Sequence, residues 1–200
     1  MADETAPGEA RRDAWTLAIL SGQTESVSAA FRAAGAEPPL FLWNPATSVL
    51  ATEQNRFLLD YWQAQRGEAR MPPVSAIDPA ALRSALGYLI LIEPVDGGRD
   101  FRYRLYGSLL ATVSGIDLTG RLVSEHWASD YVVDFSLASY RAVYRRAEPL
   151  YTLRHPVIAE YTRSWERLVL PFAGADGAIA RFVVGNLPVD RSGEVVRPRF

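Results

Sequence analysis

Apolar positions along the chain first recur at helical spacing. Trp15, Ala18 and Ile19 share one side of a short helix over 9–20, which Ser21-Gly22 closes. Val27, Ala30, Phe31 and Ala34 mark a second helix, with Thr24 as its cap and Gly35 at its end. Both are short enough to need a partner surface. A stronger helix is predicted over 48–66, where Leu50, Phe57, Leu58, Tyr61 and Trp62 keep the 3.6-residue period and Gly67 stops it. Asp78-Pro79 reads as an N-cap followed by proline at the first helical position, so 80–86 is expected to form a short helix that Gly87 releases.

The period then shortens. Residues 88–95 are apolar on both faces, as in a central strand, and Asp96-Gly97-Gly98 turns the chain back. Over 101–106 the pattern alternates: Phe101, Tyr103 and Leu105 lie on one face, Arg102, Arg104 and Tyr106 on the other. A helical turn over 109–113 leads to Gly115-Ile116-Asp117-Leu118-Thr119-Gly120, which is turn chemistry rather than a catalytic loop.

A long helix is predicted over 129–147, with Pro149 barring its continuation. It carries two apolar stripes, Val133-Leu137-Tyr140-Tyr144 and Tyr131-Phe135-Ala138-Ala142. A surface helix needs one stripe, so this one should be clasped on both sides. Strands over 150–157, 162–173 and 178–189 finish the chain, the last two joined by a hairpin at Gly174-Ala175-Asp176-Gly177. Within 162–173, Glu166, Leu168, Leu170 and Phe172 point one way and Arg163, Trp165 and Arg167 the other. This order predicts an α+β fold with one antiparallel sheet and helices over one face. Residues 1–39 form an N-terminal helical extension, 40–190 the domain proper and 191–200 a tail.

Composition narrows the chemistry. The 200 residues are 48% hydrophobic and 22% charged, enough for one domain with a real core. The net charge of -2 gives no whole-molecule attraction to nucleic acid or anionic lipid. Without cysteine there are no disulfides, thiol catalysis, iron–sulfur clusters or cysteine-containing zinc sites. The longest aliphatic run, residues 89–92, is far below the roughly 20 residues that span a bilayer. The expectation is a soluble cytoplasmic protein that binds neither nucleic acid nor membrane.

The ordered phrases Phe57-Leu58-Leu59-Asp60-Tyr61-Trp62, Asp78-Pro79-Ala80-Ala81-Leu82, Phe101-Arg102-Tyr103-Arg104-Leu105-Tyr106-Gly107, residues 115–120, Glu148-Pro149 and Trp165-Glu166-Arg167-Leu168-Val169-Leu170-Pro171 carry a resemblance. The chain resembles the stand-alone PAS domains of alphaproteobacteria over about residues 50–190. The resemblance implies a five-stranded antiparallel sheet, a long flanking helix and a central pocket that senses ligands, holds cofactors or supports dimers.

Candidate ligand-binding residues are Arg104, Tyr106, His126, Trp127, Tyr131, Phe135, Tyr140, Tyr144 and Glu166. The aromatic members could line a cavity, although aromatics at helical spacing are more often plain core. Glu166 either forms a partly buried pair with an arginine or sits at a strand end in water. Haem through His126 is disfavoured, and no paired-histidine spacing exists for zinc, so no metal is expected. Arg141, Arg145 and Arg146 suit a helix C-terminus rather than nucleic acid.

The first functional reading is a non-catalytic sensory or regulatory domain. A small organic ligand of unknown identity would shift the long helix and the N-terminal helices, and the output would pass through a homodimer or an unknown signalling partner, since no effector segment is attached. Two alternatives stand beside it: a constitutive dimeric adaptor whose helices, Trp15 and Phe31 included, make the contact, and a small cup-fold enzyme.

Overall fold

The computed structural model describes residues 7–126, 128–155, 164–190, 192 and 194–197. The helices are α1 (Pro7–Ser21), α2 (Glu25–Ala33), α3 (Glu53–Arg66), α4 (Ser108–Ser114) and α5 (Asp130–Arg146). The strands are β1 (Leu40–Trp43), β2 (Leu89–Val95), β3 (Asp100–Tyr106), β4 (Leu150–Arg154), β5 (Ser164–Ala173) and β6 (Ile179–Val189). They form one antiparallel sheet in the order β1-β4-β5-β6-β2-β3. The meander β4-β5-β6 is as expected, and the β2-β3 hairpin joins it through β2. Five of the strands are those anticipated. The sixth, β1, is a four-residue addition that pairs with the otherwise free edge of β4.

Helices cover both faces of the sheet, not one. On the inner face lies α5, with Tyr140 against Phe101 and Phe182. On the outer face α3 packs over β5 and β6, and Trp62 donates its indole N–H to the Pro171 carbonyl at 2.7 Å. Gly185 makes that close approach possible: a β-carbon there would stand 1.9 Å from Asn55 Oδ1 and 2.7 Å from Leu58 Cδ1. With both faces covered, β5 is buried along nearly its whole length.

The two stripes on α5 are explained inside the chain. One faces the sheet. The other lies under the α1–α2 hairpin, where Phe31 sets its ring edge-on to Tyr131 at 5.0 Å and Phe135 at 5.3 Å. Trp15, Ile19, Val27 and Phe31 are all buried there. Charges reinforce the seam. Asp134, only 1% exposed, accepts from Arg12 Nε at 2.6 Å and pairs with Arg11. In the reverse sense, Arg141 on α5 reaches Glu9 at 2.9 Å and Asp13 at 3.3 Å on α1. Arg141 is therefore a buried clamp, not a solvated helix-end cation. Trp15 and Phe31 are likewise internal.

Two predicted helices differ in extent. The first turn expected from residue 48 is a 3-10 turn (Thr47–Val49) followed by extended chain, and α3 begins after Thr52, whose hydroxyl accepts from Asn55 N. Residues 80–85 form turns rather than a helix. Asp78 still caps them, its Oδ1 accepting from Ala80 N at 2.9 Å, before a 3-10 turn over Leu86–Tyr88 leads into β2.

Candidate functional site

The sheet's inner face does not meet α5 everywhere. Near the N-terminal end of α5 a cavity of about 260 Å³ remains between the helix, the sheet and the segment after α4. Its sheet side is formed by Ile90, Tyr103, Tyr106, Arg154, Arg167 and Asn186. Helix α5 contributes Tyr131, Val132, Ser136 and Tyr140, and Leu118, Val123 and His126 close the end.

The position of Tyr106 depends on one extra residue. Pairing between β2 and β3 runs Ile92↔Tyr103 and then Leu91↔Leu105, so Arg104 bulges out of the ladder. Past the bulge the alternation is reversed. Tyr106 therefore lies on the inner face with Tyr103, their rings edge-on at 5.7 Å. The expectation that Tyr106 shares a face with Arg104 is corrected accordingly. Arg104 is half exposed and faces Glu93 at 3.5 Å on the outer side.

The segment 115–120 builds the wall beside it. Gly115, at φ 73°, ends α4 in the left-handed region. Asp117 Oδ1 accepts from Thr119 N at 2.9 Å, and hydrogen bonds from Thr119 hold the Asp117 carboxyl below its usual range. Thr119 Oγ1 accepts from Tyr106 N at 3.1 Å, Gly120 N donates to Tyr103 O at 2.7 Å, and Tyr103 N donates to Arg121 O at 3.0 Å. These turns occupy the free edge of β3 and seat the buried Leu118 against the cavity.

The electrostatics of the cavity are one-sided. Arg167 is 5% exposed. Its Nε donates to Thr152 Oγ1 and its Nη1 to Ser136 Oγ, both at 3.3 Å, while Nη2 has no partner among the described residues. The guanidinium lies over the rings of Phe135 at 4.7 Å and Tyr140 at 5.1 Å. Such contacts are worth about 1–2 kcal/mol, less than the several kcal/mol that burying an unpaired charge costs. Arg154, its diagonal neighbour on β4, lies over Trp165 at 5.7 Å. Burial and the charge of Arg167 lower its pKa to about 10. Neither arginine makes an ion pair among the described residues. His126 is pushed below its ordinary value by burial and by Arg154, and its Nδ1 accepts from Ala128 N at 2.9 Å. Burial raises Tyr103, Tyr106 and Tyr140. At neutral pH the cavity thus holds two cations, a neutral imidazole and protonated phenols.

Of the residues singled out from sequence, Tyr106, His126, Tyr131 and Tyr140 line this cavity. Phe135 lies beside it under Arg167. Tyr144 covers the Gly98 turn and packs on Phe101. Trp127 falls outside the described residues, as does Arg163. Glu166 is on the opposite face and has no arginine partner among the described residues, nor does it stand in water. It is fully buried and accepts from Ala51 N at 2.6 Å, Thr52 N at 3.1 Å and the Thr52 hydroxyl. Its proximity, after burial itself, pushes the Tyr151 phenol up.

Arg154, Arg167, Ser136 and Asn186 were not anticipated. A signal existed for Arg167: an arginine inside a strand with neighbours on both sides and apolar residues on both faces has nowhere polar to go. Among the described residues no group of three or more His, Asp or Glu could hold a metal ion, and no helix is long and apolar enough to cross a membrane. Residues 50–187 match the family model of a PAS domain. Comparison with curated proteins and with solved structures finds no match.

Proposed function

The chain belongs to the PAS domain family, and from that premise we propose that it is a sensor whose inner cavity takes a small molecule and whose N-terminal hairpin reports the occupancy. One observation carries this reading. The residues that bound the cavity are also those that hold the hairpin: Tyr131 lines the hollow and touches Phe31 of α2, and Phe135 stacks under Arg167 and touches the same Phe31. A ligand that moves α5 by a fraction of a side chain must repack Phe31, and with it the ion pairs joining α1 to Asp134 and Arg141. The repacked hairpin would then alter docking to a partner protein or to a second copy of the chain.

Val132→Trp tests this, because its larger side chain occupies the hollow without touching the hairpin contacts named above. Native mass spectrometry of the protein purified from cells should show a stoichiometric small mass on the parent chain and none on the variant. Amide exchange in α1 and α2 should differ between the two. A parent chain that carries no small mass, with exchange unchanged by the substitution, would remove the sensor reading.

A further inference from the structure

The unbalanced charge in the cavity names the chemistry of its occupant, given the sensor reading above. We propose that the cavity takes a small organic anion, a carboxylate or phosphate ester with a flat apolar body, whose oxyanion is held by Arg167 and Arg154.

Three observations converge. First, Arg167 is desolvated, and one of its terminal nitrogens has no acceptor among the described residues although the side chain lines a hollow. A guanidinium presents a planar fork that matches two oxyanion lone pairs, so a buried nitrogen without an acceptor leaves half of a bidentate contact unused beside the hollow. Second, Arg154 borders the same hollow, on the adjacent strand and the same face, with no carboxylate paired to it among the described residues. Two cations repel unless something negative is shared between them; the pKa of Arg154 is depressed first by burial and then by the charge of Arg167. Third, the remaining lining suits an organic body. Tyr103, Tyr106, Tyr131 and Tyr140 offer ring surfaces, and Asn186 and Ser136 offer neutral hydrogen-bond groups. A cation or a neutral apolar ligand would leave both arginines uncompensated.

The alternative is that Arg167 is a structural clamp, satisfied by Phe135, Tyr140, Thr152 and Ser136. The two readings predict opposite signs for the same substitution. If the arginine awaits an anion, Arg167→Met relieves a buried charge and raises the thermal midpoint of the ligand-free protein. If it is a clamp, the midpoint falls.

The experiment is a thermal-shift and calorimetric titration with benzoate, phenylacetate and phenyl phosphate, set against the neutral benzamide and phenylacetamide. At least one acid should bind and raise the midpoint while its neutral counterpart does not, and the preference between the carboxylates and phenyl phosphate identifies which oxyanion the site favours. The effect should vanish in Val132→Trp, which places it in the cavity. Arg154→Gln and Arg167→Met should each weaken it by roughly ten- to hundredfold, with Arg167→Lys losing less than Arg167→Met. Amides that bind as well as the acids would overturn the anion assignment and leave the sensor reading intact. Failure of all three acids, together with a lowered midpoint in Arg167→Met, would also overturn it; the native mass measurement then judges the sensor reading separately.

Discussion

Glu166 and Arg167 are consecutive in β5, both buried and oppositely charged, yet the sheet sends them to different worlds. On the outer face Glu166 meets three donors at the start of α3 and is fully satisfied. On the inner face Arg167 meets two hydroxyls at 3.3 Å, two aromatic rings and a hollow. The outer layer is closed tightly enough that Gly185 tolerates no β-carbon; the inner layer leaves about 260 Å³ unfilled. A buried charge with every partner supplied by the fold holds the fold together. A buried charge with a partner missing costs stability, and the missing partner is the natural place to look for a ligand.

The contrast breaks most directly at Glu166. Glu166→Ala leaves the N–H groups of Ala51 and Thr52 and the Thr52 hydroxyl without their acceptor, in a site that is buried at Thr52 and part-buried at Ala51. A loss of about 3 kcal/mol or more is expected in denaturant unfolding, which would move the midpoint opposite to Arg167→Met. A loss under about 1 kcal/mol would mean that water serves those donors, and the two charges would no longer differ in kind.

Much of this arrangement can be read from sequence, but only where periodicity controls the outcome. The α5 stripes announced a helix clasped on both sides, and the runs after Pro149 announced the meander. The β1 strand did not show itself: Leu40–Trp43 is four residues long and is held only because the edge of β4 offers a partner. The site was legible in part. Tyr131 and Tyr140 fall where helix spacing puts them and His126 where its place just before the long helix puts it, whereas Tyr106 was assigned to the wrong face because a bulge at Arg104 leaves no mark in an alternating pattern. Glu166 was misread for a related reason. Its partners are backbone amides more than 100 residues away, which no side-chain pattern reveals.

A second test concerns how the two layers communicate. Asp134 is nearly as buried as Glu166, but its partners, Arg11 and Arg12, come from the α1 surface and remain partly exposed. Asp134→Asn should therefore cost less, about 1–3 kcal/mol. Its characteristic result is local. Amide exchange should rise in α1 while β5 and β6 keep their protection. Uniform acceleration throughout the chain would show that α1 is part of the cooperative core and no separate reporter.

The smallest expected effect lies at His126, which joins the two halves of the comparison. It lines the cavity, where Arg154 faces it from β4, and also the cleft between α1 and α5, which Arg11, Arg12, Asp130 and Asp134 border. Its folded pKa is depressed by burial and by Arg154, so the neutral ring is favoured in the fold. Stability from this group is complete above the unfolded value of about 6.5 and declines as pH falls below it, levelling off beneath the folded pKa. Geometry agrees, since protonation would turn Nδ1 from acceptor to donor and oppose the Ala128 N–H. His126→Gln keeps an acceptor and removes the titration. The parent chain should lose about 1 kcal/mol or less between pH 7 and pH 5 relative to this variant. Benzoate bound beside Arg154 would add a negative charge near the ring and raise its pKa, so the acid-induced loss should shrink when the cavity is filled. If the loss is the same with and without benzoate, the anion does not sit within reach of His126 and Arg154, and the open side of the sheet is not where the charge is balanced.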